Sequence, residues 1–163
     1  MAAFTLFHVT LSLVGIVAGF VVFLGLLTSS RRDTSNAVFL AATILTSVTG
    51  FLFPIEQLTP GHVVGILSLV ALGIAVTARY AKKLAGPWRA TYVVTVVLAQ
   101  YFNFAVLIIQ SFQKIAPLHT RGSSAETATQ LVALALFIAV GVAAVIQFRP
   151  APTSNAGTRL SAV

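Results

Sequence analysis

Four side-chain amides and one ammonium interrupt the apolar stretch QYFNFAVLIIQSFQK, residues 100–114: Gln100, Asn103, Gln110, Gln113 and Lys114. Amides are neither nucleophiles nor proton carriers. They donate and accept hydrogen bonds, and a lysine adds a positive charge with three donors. The chemistry on offer is recognition of a polar guest or adhesion between helices. At about 100° per residue, Gln100, Asn103, Gln110 and Lys114 fall within an arc of roughly 80°, with Tyr101 opposite. Such a stripe is expected to face other helices or water, because polar groups are costly in hydrocarbon. Two expectations stay open. One is interhelical hydrogen bonding, worth about 0.6–2 kcal/mol per contact. The other is a polar cavity reaching in from one surface, with Gln100, Asn103, Gln110, Lys114 and Glu56 as its ligand-binding residues.

The histidines suggest a second chemistry. His8, Ser12, Gly15 and Gly19 share one helical face, and His62, Gly65, Leu69 and Gly73 share another. Each histidine stands above glycines. Two imidazoles at similar depth, His8 and His62, suit the axial positions of a haem iron, with Lys114 or Arg121 to neutralise propionates. A metal site built from His8, His62, His119 and Glu56 has suitable ligand types but no local spacing motif, and the chain has no cysteine to add thiolates. The plainer alternative is that each ring sits at headgroup level, bonded to water or a neighbouring helix. Gly15-x-x-x-Gly19 and Gly61-x-x-x-Gly65 are spacings that permit close helix approach without any ligand. The motifs of common enzymes are absent: no G-x-S-x-G, no H-E-x-x-H and no glycine-rich phosphate loop. A non-enzymatic role follows as the expectation.

The elements that position these residues follow from composition. Of 163 residues, 58% are hydrophobic and only 8% charged, and mean hydropathy is +0.98. A soluble domain carries about 25% charged residues, so the lipid bilayer is the solvent implied here. Five segments qualify by the roughly 20 apolar residues that cross hydrocarbon: about 4–27, 36–54, 61–80, 88–113 and 127–148. The expected fold is an all-α integral membrane bundle of five transmembrane helices over residues 1–149, with 150–163 a polar cytoplasmic tail expected to be disordered. Pro54 and Pro60 bracket a turn, and Gly86-Pro87 precedes a helix start.

Charge sets the expected orientation. Arg31, Arg32, Arg79, Lys82, Lys83, Arg89, Arg149 and Arg159 fall on one side of a five-span arrangement; only Lys114 and Arg121 fall on the other. Loops rich in Lys and Arg stay cytoplasmic, which places the N-terminus outside and the C-terminus inside. The net charge of +7 is thereby a topology signal, and nucleic acid is not an expected partner. The first span lacks a basic flank before it and is followed by Arg31-Arg32, so it is expected to be retained and not cleaved as a signal peptide.

The run TGFLFP…TPGHVVGILSLVALGIAVTARY…LAGPWRATYVVT, continuing to KIAPLH, resembles small uncharacterised polytopic bacterial inner-membrane proteins over roughly residues 36–119. The resemblance implies a cell inner membrane and carries over no activity and no functional residue. The leading expectation is a multi-pass inner-membrane protein acting as a small-molecule-binding or accessory subunit, with a polar pocket near the periplasmic face. The alternatives are a haem-binding redox subunit using His8 and His62, and a small transporter or channel component. The expected partners are the lipid bilayer, a small-molecule ligand, and a second copy or another membrane subunit.

Overall fold

The computed structural model describes residues 2–53 and 60–149, and these are all-helical. Glu56 and the 150–163 tail lie outside the described residues. Helix α1 spans Ala2–Leu27, α2 Asp33–Gly50, α3 Pro60–Val76, α4 Trp88–Lys114, α5 Ala116–His119 and α6 Gly122–Gln147. Among the described residues, four stretches are long and apolar enough to cross a membrane: α1, α3 with its following turn (Gly61–Ala81), α4 and α6. Helix α2 is shorter at 18 residues and more polar, because Asp33, Asn36 and a run of threonines and serines occupy it.

Helix α4 lies at the centre. It packs against α1, α3, α5 and α6, while α2 is wedged against α1 and α3. Its buried side is long because it meets neighbours on several faces: Tyr92, Val93, Val96, Ala99, Gln100, Asn103 and Ile108 are all inside. Phe20, Phe23, Phe104 and Phe137 form a ring cluster joining α1, α4 and α6, with centroid separations of 5.5–6.5 Å.

The distribution of polarity is inverted relative to a soluble protein. Inside lie Asn36, Thr43, Thr46, Thr49, Ser68, Arg79, Thr95, Gln100 and Asn103. Outside lie Leu6, Val17, Leu24, Ile66, Val70, Leu131, Leu136, Ile138 and Ile146, each more than half exposed. Helix α6 buries only Ala133, Phe137 and Ala144 of its 26 residues. Water would penalise such a surface by about 25 cal/mol per Å² of apolar area; hydrocarbon does not.

Helix α3 ends in a π-helical turn, Thr77–Ala81. Its wide hydrogen bonds, Lys82 N–H to Thr77 O at 2.9 Å and Leu84 N–H to Ala78 O at 3.0 Å, close the helix through two left-handed residues, Lys83 (φ 51°) and Leu84 (φ 61°). Burial of the Leu84 side chain holds this turn against the bundle.

Candidate functional site

The α4 stripe divides in two. Its inner half is buried in a polar seam with α1 and α2. Gln100 is fully buried and its Nε2 donates to the Ile16 carbonyl at 2.8 Å. The Ser12 hydroxyl donates to Asn103 Oδ1 at 3.0 Å, and Asn103 Nδ2 reaches the Ser12 carbonyl at 3.5 Å. These contacts exist because α1 presents glycine. A Cβ on Gly19 would stand 2.1 Å from Gln100 Oε1, and one on Gly15 would stand 2.9 Å from Thr43 Oγ1 and 3.2 Å from Asn103 Nδ2. The seam continues toward the end of α2, where His8 Nδ1 and Thr49 Oγ1 are 2.8 Å apart. The Thr49 hydroxyl also lies within hydrogen-bond distance of the Leu45 carbonyl at 2.7 Å and the Thr46 carbonyl at 3.2 Å. Three oxygens in the seam are buried without a hydrogen-bond partner: Gln100 Oε1, Thr43 Oγ1 and Thr46 Oγ1.

The outer half of the stripe is open. Gln110 and Lys114 are exposed, although they share the arc of Gln100 and Asn103. The reason is that α4 turns its packing toward α6 here: Ile108 and Phe112 join Ala133 in a separate apolar cluster, backed by Phe104 and Leu118.

The histidines are held at different contacts. The His8 ring stands edge-on to Phe53 at 5.2 Å, as well as bonding Thr49. The His62 ring lies 5.8 Å from Phe51. Both sets of partners come from the end of α2 and the two or three residues after it. His119 is exposed at the end of α5. Among the described residues no three of His, Asp and Glu come together. The geometry thus adds nothing to the haem and metal alternatives.

The opposite end of the bundle holds a network that sequence reasoning missed. Arg79, counted above among the loop charges, is 3% exposed. Its guanidinium donates to the Tyr92 hydroxyl at 3.1 Å, to the Arg31 carbonyl at 2.9 Å and to the Asp33 carboxylate, and it sits 5.2 Å from the Tyr92 ring centroid. The Tyr92 hydroxyl in turn donates to Asn36 Oδ1, and Asn36 Nδ2 donates to the Tyr80 hydroxyl at 3.4 Å. Arg89 caps α6 by donating to the carbonyls of Val145 (3.0 Å) and Phe148. The Arg149 N–H donates to Ser29 Oγ at 2.7 Å. The α1–α2 connection, the α3–α4 connection and the end of α6 are therefore tied at one end of the bundle. The available signal was Asp33, an isolated acidic residue one helical turn from Asn36, amid a run of cations.

No known protein family, curated protein or solved structure matches this chain.

Proposed function

We propose that the chain is a five-span inner-membrane protein, N-terminus outside and C-terminus cytoplasmic, that acts as a non-enzymatic small-molecule-binding or accessory subunit. The observation that carries the membrane reading is the inverted polarity, with amides, hydroxyls and a guanidinium inside and leucine, isoleucine and valine outside. In this reading α2 is the fifth span, its polar face covered by α1 and α3. The orientation is supported by the gathering of Arg31, Arg32, Arg79, Lys82, Lys83, Arg89 and Arg149 at one end. The bacterial inner membrane is the location that the sequence resemblance favours.

The ligand-facing part in this reading is the other end of α4, where Gln110 and Lys114 are exposed on the helix arc that also carries the buried Asn103. The guest suited to one ammonium and one amide is a small anion with hydrogen-bonding oxygens. Two experiments test this. A reporter fused after Val163 is expected to read as cytoplasmic and one inserted near Ser123 as periplasmic; a periplasmic C-terminus overturns the orientation. Thermal unfolding of purified protein against a panel of small carboxylates and phosphates is expected to show a ligand-dependent rise that Lys114→Ala and Gln110→Leu remove. No rise with any solute, or the same rise in both variants, overturns the binding role.

A further inference from the structure

A groove runs along the membrane-facing surface between α3 and α4, close to the basic end. Leu69, Val70, Gly73 and Ile74 form one wall, and Trp88 and Thr91 the other. Gly73 deepens it: a Cβ there would meet nothing within 4 Å. The hydroxyls beside it are already committed, Thr77 to the Gly73 carbonyl at 2.9 Å and Thr91 to the Pro87 carbonyl at 3.1 Å. The walls therefore offer hydrocarbon contact and little hydrogen bonding, which disfavours a peptide and favours a chain of methylenes. At the end of the groove Lys82 Nζ stands 5.5 Å from the Trp88 ring centroid, a cation–π contact that holds the ammonium over the indole. Lys83 follows, exposed on the left-handed turn that buried Leu84 fixes in place. Asp33, the acidic residue described at this end, is engaged by Arg79. Among the described residues, neither lysine is paired with a carboxylate.

We propose that this groove is a binding site for an anionic phospholipid, with one acyl chain along Leu69–Ile74 and Trp88 and the lipid phosphate at Lys82 and Lys83. Three features on one surface agree. The groove is apolar, it opens sideways where lipid lies, and its end carries positive charge beside a tryptophan, the residue that marks the headgroup level of a bilayer. The inference rests on the membrane-spanning reading but not on the orientation or on the ligand binding proposed at the far end.

The test is native mass spectrometry of the full chain in detergent, titrated with phosphatidylglycerol and with phosphatidylcholine of matched acyl chains. Phosphatidylglycerol is expected to bind more tightly. Changing Lys82 or Lys83 to Gln is expected to weaken it about fivefold each, from about 1 kcal/mol per cation near an anionic surface, and to leave phosphatidylcholine unaffected. A Cβ at Gly73 points into open space, so Gly73→Leu and Gly73→Phe are expected to fill the groove and weaken both lipids with no loss of thermal stability. Equal binding of the two lipids by the wild-type chain overturns headgroup recognition. Undiminished binding in both Gly73 variants, each folded, overturns the groove. Release of the wild-type chain from membranes by alkaline carbonate is a separate result, which would sink the membrane-spanning reading itself.

Discussion

Gly15 and Gly19 set how closely α1 approaches α2 and α4, and the side chains that use that space are polar: Thr43, Asn103 and Gln100. In a soluble core such an arrangement would compete with apolar packing driven by water. In lipid that drive is missing between helices, and close backbone approach with interhelical hydrogen bonds takes its place. Gly19→Ala is therefore expected to be destabilising, because its Cβ would lie 2.1 Å from Gln100 Oε1 and displace the amide from the Ile16 carbonyl. Overpacking of this kind costs about 1–3 kcal/mol, readable as a lower unfolding temperature in detergent. Gly73→Ala is the control: with nothing within 4 Å of its Cβ it should be neutral or slightly stabilising. Equal effects at the two glycines would show that the seam is not closely packed. Asn103→Leu separates the two readings of the opening stretch at its buried end. Loss of the paired contacts to Ser12 should lower stability by about 0.6–2 kcal/mol, whereas Gln110→Leu, at an exposed position, should leave stability unchanged.

At the scale of the element, the π-helical turn Thr77–Ala81 is what brings Arg79 inside. An extra residue in a helical turn rotates everything after it, so a side chain read as a loop charge is re-aimed into the bundle. The planar guanidinium then reaches Tyr92, Arg31 and Asp33 from two nitrogens. A lysine has one nitrogen on a flexible stem and does not reproduce that fork. Arg79→Lys is expected to lower stability by about 1–3 kcal/mol, the cost of leaving a buried hydrogen-bonding group unmatched, measured by thermal unfolding in detergent; an unchanged midpoint would mean that the network is dispensable. This turn also marks the boundary of what the sequence disclosed. The expected spans at about 4–27 and 88–113 agree with α1 and α4 to within two residues, because apolar runs in lipid are long and end sharply at charge. Helix α6 begins at Gly122, five residues before the expected 127, since the polar turn Ser123–Glu126 extends the helix without adding hydropathy. Periodicity placed Gln100 and Asn103 on one face, and they are buried together. It also grouped Gln110 and Lys114 with them, and there the α4–α6 cluster of Ile108, Phe112 and Ala133 decides which face packs. That choice depends on contacts between distant parts of the chain, which periodicity does not encode. The partners of His8 and Arg79 are of the same kind: they come from 41, 46 and 48 residues away.

Over the whole molecule, the positive charges at the basic end fall into two sets, buried and exposed, that mutation can separate. Arg79 is buried and paired with Asp33, and Arg89 is spent on the carbonyls that end α6. Arg32, Lys82 and Lys83 are exposed. Charges that orient a membrane protein act during insertion, as cations that resist translocation, and burial in the finished fold is irrelevant to that step. In the proposed reading the exposed cations outside the network have orientation and lipid contact as their roles, while removing Arg79 also breaks a structural network. Replacing Arg32, Lys82 and Lys83 together by Gln is therefore expected to give a mixed population of orientations. Arg79→Gln alone is expected to keep one orientation and lose stability, because seven of the eight cations assigned to that side remain. The absence of cysteine makes the measurement direct. A single Ser123→Cys reports one side and a single Ser161→Cys the other, each labelled in intact cells with a membrane-impermeant maleimide. In the wild-type background Ser123→Cys should label and Ser161→Cys should not. The triple variant should label at both, and the Arg79→Gln variant only at Ser123→Cys. Dual labelling produced by Arg79→Gln, with the triple variant uniform, would reverse the assignment and make the buried arginine the determinant of topology.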